Sequence, residues 1–275
     1  MKLLYFPGCT LKTSAKNLES SAFAIMEKLG HELKEMDDWT CCGATAAESV
    51  SPLLASSLAA RNLAFAEQTQ QQLDLLVPCS ACYLNLKKTS EKVRGSEKER
   101  AAVNQALAPE KHQVTGNIPV RHLLDVLSVD FGAQQIQPRV VHPLEGLTIA
   151  PYYGCQCLRP FRVFDDPEKP TSMDALIQVT GARVFLWTMG AKCCGASHMT
   201  TKMAVGLNLT GAILTAAEGA DAIVTVCPMC QMNLEAYQDK ISKANKKDLS
   251  ISILYLPQLL GLAVWLSKKD LRLDL

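Results

Sequence analysis

The sequence predicts an α/β protein of two similar halves, each with a small, mostly parallel sheet flanked by helices. Three observations predict it. Short apolar, β-rich runs alternate with longer segments of helical periodicity, the signature of strand–helix–strand units. Cysteine intervals repeat: Cys9, 31 residues, Cys41-Cys42, 36 residues, Cys79 and Cys82; then Cys155, 37 residues, Cys193-Cys194, 32 residues, Cys227 and Cys230. The wording around the cysteines repeats too, with YFPGCTLK echoed by YYGCQCLR, TCCGAT by KCCGAS, and DLLVPCSACYLNL by AIVTVCPMCQMNL. The tails IPVRHLLDVL (118–127) and ILYLPQLLGLA (253–263) also correspond, so duplication of one unit explains the chain.

Taken in order, KLLYF at the N-terminus reads as a buried strand. Residues 11–30 carry apolar positions at helical spacing and stop at Gly30, a C-cap residue. Residues 51–73 read as a second helix, with Ser51 as N-cap and Pro52 in its first turn. LDLLV follows as a strand, then the first CxxC leads into a helix; the charged stretch 87–111 is a solvated helix and loop. A polar segment with two prolines and two glycines, 130–146, separates the halves, which divide as 1–138 and 139–275. GLTIA, ARVFLW and DAIVTV supply strands of the second half. Cys9, Cys79, Cys155 and Cys227 each follow an apolar run, which sets them at C-terminal strand edges, where open α/β sheets bind ligands.

Charge is balanced, 28 basic against 27 acidic residues, which argues against nucleic acid as the partner. The apolar run 256–266 is too short to span a bilayer. The N-terminus has no signal-peptide pattern, and the expectation is a cytoplasmic protein whose cysteines stay reduced. No GxGxxG follows a strand, no P-loop is spelled, and the ferredoxin cysteine run is missing, so flavin, nicotinamide and the electron source are expected on other chains.

Each half offers five thiols. Structural zinc and an ordinary cubane each need four, so the surplus sulfur suits a cluster of unusual shape, with zinc in one half as the alternative. Adjacent side chains on an extended strand point apart, so Cys41 and Cys42 would reach different irons of a larger cluster. Cys157 is left over, as an extra ligand, a redox thiol or a buried packing residue.

With CCGA at the centre of each half and ten cysteines in order, residues 1 to about 265 resemble the CCG-domain proteins, specifically the family of heterodisulfide reductase B subunits. The resemblance implies two CCG domains and two non-cubane 4Fe-4S clusters, one on Cys9, Cys41, Cys42, Cys79 and Cys82 and one on Cys155, Cys193, Cys194, Cys227 and Cys230. It implies an oxidoreductase acting on a small disulfide, with no catalytic residue beyond the cluster ligands. Its implied partners are a ferredoxin-like iron–sulfur C subunit and a flavin-containing A subunit of the same complex. Methanogenic members tend to carry a histidine directly after the cysteine at 155; here Gln156 and Cys157 follow it. Gln156, Arg159, His198 and Lys12 are candidate substrate contacts, each with an equally good surface or packing role. Other readings are an electron-relay CCG subunit of a quinone-linked dehydrogenase or sulfur-oxidation complex, and a zinc-stabilised interaction domain.

Overall fold

A computed structural model describes residues 1–44, 46–69 and 73–273. The first half contributes strands β1 (Lys2–Tyr5), β2 (Glu32–Glu35), β3 (Leu75–Val77) and β4 (Val120–His122), all parallel, in the order β2-β1-β3-β4. The second half repeats it with β5 (Thr148–Tyr152), β6 (Arg183–Val184), β7 (Ala222–Thr225) and β8 (Ser252–Tyr255), in the order β6-β5-β7-β8. The two halves are therefore α/β units of one topology. In each, the chain leaves the first strand toward one edge and returns to build the other, which creates a switch point between the two central strands.

The central strands are apolar because both their faces are covered: Leu3, Leu4 and Tyr5 of β1 and all of β3 are buried. The edge strand β2, Glu-Leu-Lys-Glu, keeps an exposed-to-half-buried alternation, so the apolar-run criterion overlooks it. β4, Val-Arg-His, and β8, Ser-Ile-Leu-Tyr, are overlooked because polar residues interrupt them and they run straight into the next helical segment.

Helix α1 (Lys16–Lys28) is shorter than the predicted 11–30: a separate turn, Gly8–Leu11, precedes it, and Thr13 donates its hydroxyl proton to Cys9 O at 2.9 Å in the break. Gly30, at φ +82°, ends α1, and the His31 amide closes onto Met26 O at 2.9 Å. Helix α2 (Pro52–Gln68) starts as read, with the Ser51 hydroxyl accepting from the Leu54 amide; the end of the predicted 51–73 helix at 70–72 lies outside the described residues. The stretch 87–111 is covered by α3 (Ser80–Gly95) and α4 (Glu97–Leu107), and the polar segment after β4 contains a short helix, α5 (Gly132–Ile136).

The second half adds α6 (Asp174–Gln178), α7 (Met203–Ala216), α8 (Pro228–Ala236), α9 (Gln238–Asn245) and α10 (Leu256–Ala263). The halves are knitted together reciprocally: α10 packs on α1, and α5 packs on α6. Arg139 donates to Leu29 O at 3.3 Å, and the Val141 and His142 amides donate to Ala263 O. One apolar core cluster takes in residues of both halves. Among the described residues no helix is long and apolar enough to cross a membrane.

Candidate metal centres

All ten paired cysteines lie beyond the C-terminal ends of their strands. Cys9 follows β1 and Cys79 follows β3, the adjacent central strands, and Cys155 and Cys227 follow β5 and β7 in the same way. Cys79 and Cys227 are the N-cap residues of α3 and α8, so each CxxC wraps the first turn of a helix whose amides and dipole favour thiolate.

The vicinal pairs lie in loops and not on strands, a correction to their expected setting. In the first half the adjacent sulfurs stay in contact with one another, and in the second they turn to different partners. Cys42 Sγ lies 3.0 Å from Cys82 Sγ and also touches Cys41, which is near enough to Cys9 to feel its charge. In the second half Cys194 Sγ lies 3.5 Å from Cys230 Sγ, while Cys193 contacts Cys155. Each pair thus bridges the first cysteine of its set and the CxxC. The Gly43 and Gly195 amides face back to the Cys41 and Cys193 sulfurs at 3.5 and 3.4 Å.

Crowded thiols share protons unequally. Contact with Cys41, then with Cys82, lowers Cys42 to about 4, and the Cys41 and Cys82 thiols are raised in return. Cys193 is lowered to about 6 by Cys155, and Cys227 to about 6 by Cys230. Cys155 and Cys230 are raised in return, so within each close pair one sulfur carries the negative charge and the other keeps the proton that a bound metal would displace.

Three devices build these loops. Gly8 and Gly154, at φ +67° and +70°, precede the first cysteine of each set, and a Cβ there would stand 3.1 Å from Cys82 Sγ and 3.0 Å from Cys230 Sγ. Only glycine leaves that space to the sulfur. The Asn of each Asn-Leu echo holds the vicinal turn: Asn85 Nδ2 donates to Cys42 O, and Asn233 Nδ2 donates to Cys194 O at 2.7 Å and to Thr210 Oγ1 at 2.8 Å. Thr210 adds a second donor to Cys194 O at 2.9 Å. Sequence reasoning quoted the Asn-Leu echo without assigning it a role.

The two sets differ in access. Cys9 and Cys41 are exposed, whereas Cys155 and Cys193 are half-buried. The second set opens on a cavity that Ser80 and Ala81, the middle of the first CxxC, also line. The remaining candidates are distributed unequally around this cavity. Gln156 lines it; Arg159 and His198 are close enough to favour the Cys193 thiolate. Arg159 is also held by Glu168 at 2.8 Å and by the Pro167 carbonyl at 3.1 Å. Lys12 is taken up by Glu19 and Glu35, at 2.8 and 2.7 Å. Cys157 is fully buried beside Cys227: its thiol donates to Tyr153 O at 3.2 Å, and burial, with the nearby Cys227, pushes it up to about 12.

Five sulfurs per half, with the vicinal pair set between the first cysteine and the CxxC and a glycine cradle beneath the last, fit a multinuclear iron–sulfur group better than one tetrahedral ion. Among the described residues no three or more His, Cys, Asp or Glu side chains are already gathered closely enough to hold a metal ion.

The cysteine-rich domain model named CCG matches residues 3–87 and 149–235, one copy per half. The chain belongs to the CCG cysteine-rich domain family. This CCG chain is 34% identical to the 8-methylmenaquinol:fumarate reductase membrane anchor subunit of Wolinella succinogenes, over 98% of this chain and 94% of that protein. It is 27% identical to the B subunit of the ferredoxin/F(420)H(2)-dependent CoB-CoM heterodisulfide reductase of Methanosarcina acetivorans, over 99% and 92%. A protein of Archaeoglobus profundus named as similar to the heterodisulfide reductase B subunit is 29% identical over 94% and 89%. A hypothetical protein from Helicobacter pylori shares the fold, with a TM-score of 0.77 at 18% identity; the CCG chain is covered to 99% and spans 51% of that chain.

Proposed function

We propose that this CCG chain is the two-site iron–sulfur component of a multi-subunit, heterodisulfide-reductase-like oxidoreductase. Cys9, Cys41, Cys42, Cys79 and Cys82 hold one non-cubane 4Fe-4S cluster, and Cys155, Cys193, Cys194, Cys227 and Cys230 hold the other. When bound, such clusters supply one electron each, the pair that a disulfide needs to become two thiols. The observation that carries the reading is that the first CxxC lines the cavity of the second cysteine set, which puts the two sites side by side. The half-buried rim of that cavity, with Gln156 on its wall and Arg159 and His198 beside Cys193, favours an anionic substrate. Electrons arrive from partner subunits, a ferredoxin-like and a flavin-containing chain, and the assembly works in the cytoplasm.

A second reading, an electron relay linked to a quinol, is favoured by two observations. The relative at 34% identity is named for a quinol reaction and as a membrane anchor subunit. Large apolar side chains also stand exposed eight to twelve positions after each vicinal pair: Val50, Leu53 and Leu54 in one half, Met203 and Val205 in the other.

Metal analysis of anaerobically prepared protein comes first: about eight irons per chain supports either reading, and zinc alone sinks both. The reconstituted complex is then given a viologen donor with a panel of small disulfides, and separately a reduced menaquinone analogue. Disulfide turnover supports the leading reading; quinol oxidation with a silent disulfide panel replaces it with the second.

A further inference from the structure

The duplication is broken at one buried place between the two cysteine sets. Strand register pairs Val77 with His122 in the first half and Thr225 with Tyr255 in the second, so His122 and Tyr255 occupy one position of the repeat. In the same way Ser80 of the first CxxC corresponds to Pro228 of the second. The second half therefore has no hydroxyl in the CxxC position where the first half has one.

Ser80 and His122 are both buried, 2% and 0% exposed. His122 Nδ1 accepts from the Leu124 amide at 3.1 Å, which leaves the ring proton on Nε2. Nε2 lies 3.1 Å from Ser80 Oγ. The imidazole donates there, with the Pro78 carbonyl as a second acceptor nearby, and the serine's own proton is left to point onward. Tyr83 packs edge-on to the ring at 5.3 Å and Phe164, from the second half, stacks on it at 6.3 Å, so the imidazole is fixed by both halves. Onward from Ser80 lie the cavity of the second set and two sulfurs, Cys157 and Cys227. The Cys157 thiol already donates to Tyr153 O, and a neutral thiol is a weak acceptor. A ligand thiolate at Cys227 is the stronger one.

We propose that Ser80 is a positioning residue lent by the first half to the second site: oriented by His122, its hydroxyl donates a hydrogen bond to the Cys227 sulfur and raises that site's reduction potential. The inference rests on the reading that both sets hold iron–sulfur clusters. A hydrogen bond to a ligand sulfur favours the reduced, more negative state of a cluster. Among the described residues the matching positions return no such bond: Pro228 has no donor, and Tyr255, although near Cys79, gives its hydroxyl proton to Gln231 Oε1 at 3.3 Å. The donation runs one way, so it separates the potentials of two otherwise matched sites and draws the electron toward the second.

The test is a redox titration followed by electron paramagnetic resonance on the full, iron-loaded chain, with iron counted in every sample. The second site's signal is the one lost in Cys194→Ser. Ser80→Ala is expected to keep its iron and to lower the second midpoint by about 59 mV, a tenfold change in the oxidised-to-reduced ratio for one electron, with the first midpoint unmoved. Ser80→Thr, which keeps the hydroxyl, is expected to match the wild type. Should alanine fail to fold, Ser80→Val against Ser80→Thr asks the same question at constant shape. A loaded Ser80→Ala or Ser80→Val protein with an unmoved second midpoint overturns the inference and leaves the two-cluster reading intact. Wild-type protein that binds no iron overturns both.

Discussion

Gly154→Ala separates a cluster cradle from an ordinary turn. Gly154 has φ +70°, and an L side chain in that region costs about 1–2 kcal/mol. Its added Cβ would stand 3.0 Å from Cys230 Sγ. Carbon and sulfur settle no closer than about 3.5 Å, so the sulfur must yield about 0.5 Å. Metal sites tolerate displacements of about 0.2 Å in ligand distance, so the second set should lose its metal. Gly30→Ala is the control: φ is +82° and nothing lies within 4 Å of the added carbon, so the backbone cost is similar and no sulfur moves. Both variants should lower the urea midpoint, each by the equivalent of about 1–2 kcal/mol. Only Gly154→Ala should fall to about half the iron of the wild type after anaerobic reconstitution. Full iron with a wild-type spectrum in Gly154→Ala would refute the cradle, as would equal iron loss in Gly30→Ala.

Cys194→Ser should abolish the second site's spectroscopic signal and spare the first; unchanged iron and spectrum would remove Cys194 from the ligand set. Asn233→Ala leaves the buried Cys194 carbonyl with the Thr210 hydroxyl as its remaining side-chain donor and should cost about 1–3 kcal/mol in urea unfolding, against less than about 0.5 kcal/mol for an exposed control such as Lys169→Ala. Burial lowers His122 to about 3 from its ordinary 6.5, so the folded group binds its proton later than the unfolded one. Its stability contribution is complete above about pH 6.5 and is lost as pH falls toward 3, about 2 kcal/mol of it by pH 5. Unfolding free energies at pH 7 and pH 5 should diverge less in His122→Gln than in the wild type; identical slopes would exclude His122 as the source.

The apolar runs that betray β1, β3, β5 and β7 do so because these strands are central or nearly so, and burial on both faces leaves little room for polar residues. β2 hides because an edge strand with exposed Glu32 and half-buried Leu33 looks like a loop. The cysteine sets are legible because chemistry fixes both residue type and spacing. What surrounds them is less legible, since it depends on contacts distant in sequence. Lys12 looks like a substrate contact until Glu19 and Glu35 are seen to hold it. Asn85 reaches Cys42 across 43 positions, and nothing in the local sequence announces that contact. Ser80 escapes for a different reason: repeats draw attention to what they share, and Ser80 matters where the copies disagree.

The reciprocal packing of α10 on α1 and of α5 on α6 has an evolutionary consequence. Each half covers the first helix of the other with a helix that follows its own last strand, although α10 and α5 are not matching segments of the repeat. Reciprocal covering of this kind resembles the way two identical subunits close a homodimer, here between two halves of one chain. A homodimer of identical subunits must place every substitution in both copies at once. The two halves of one chain need not, and the Ser80–His122 pair against Pro228 and Tyr255 is a difference that two identical subunits could not carry.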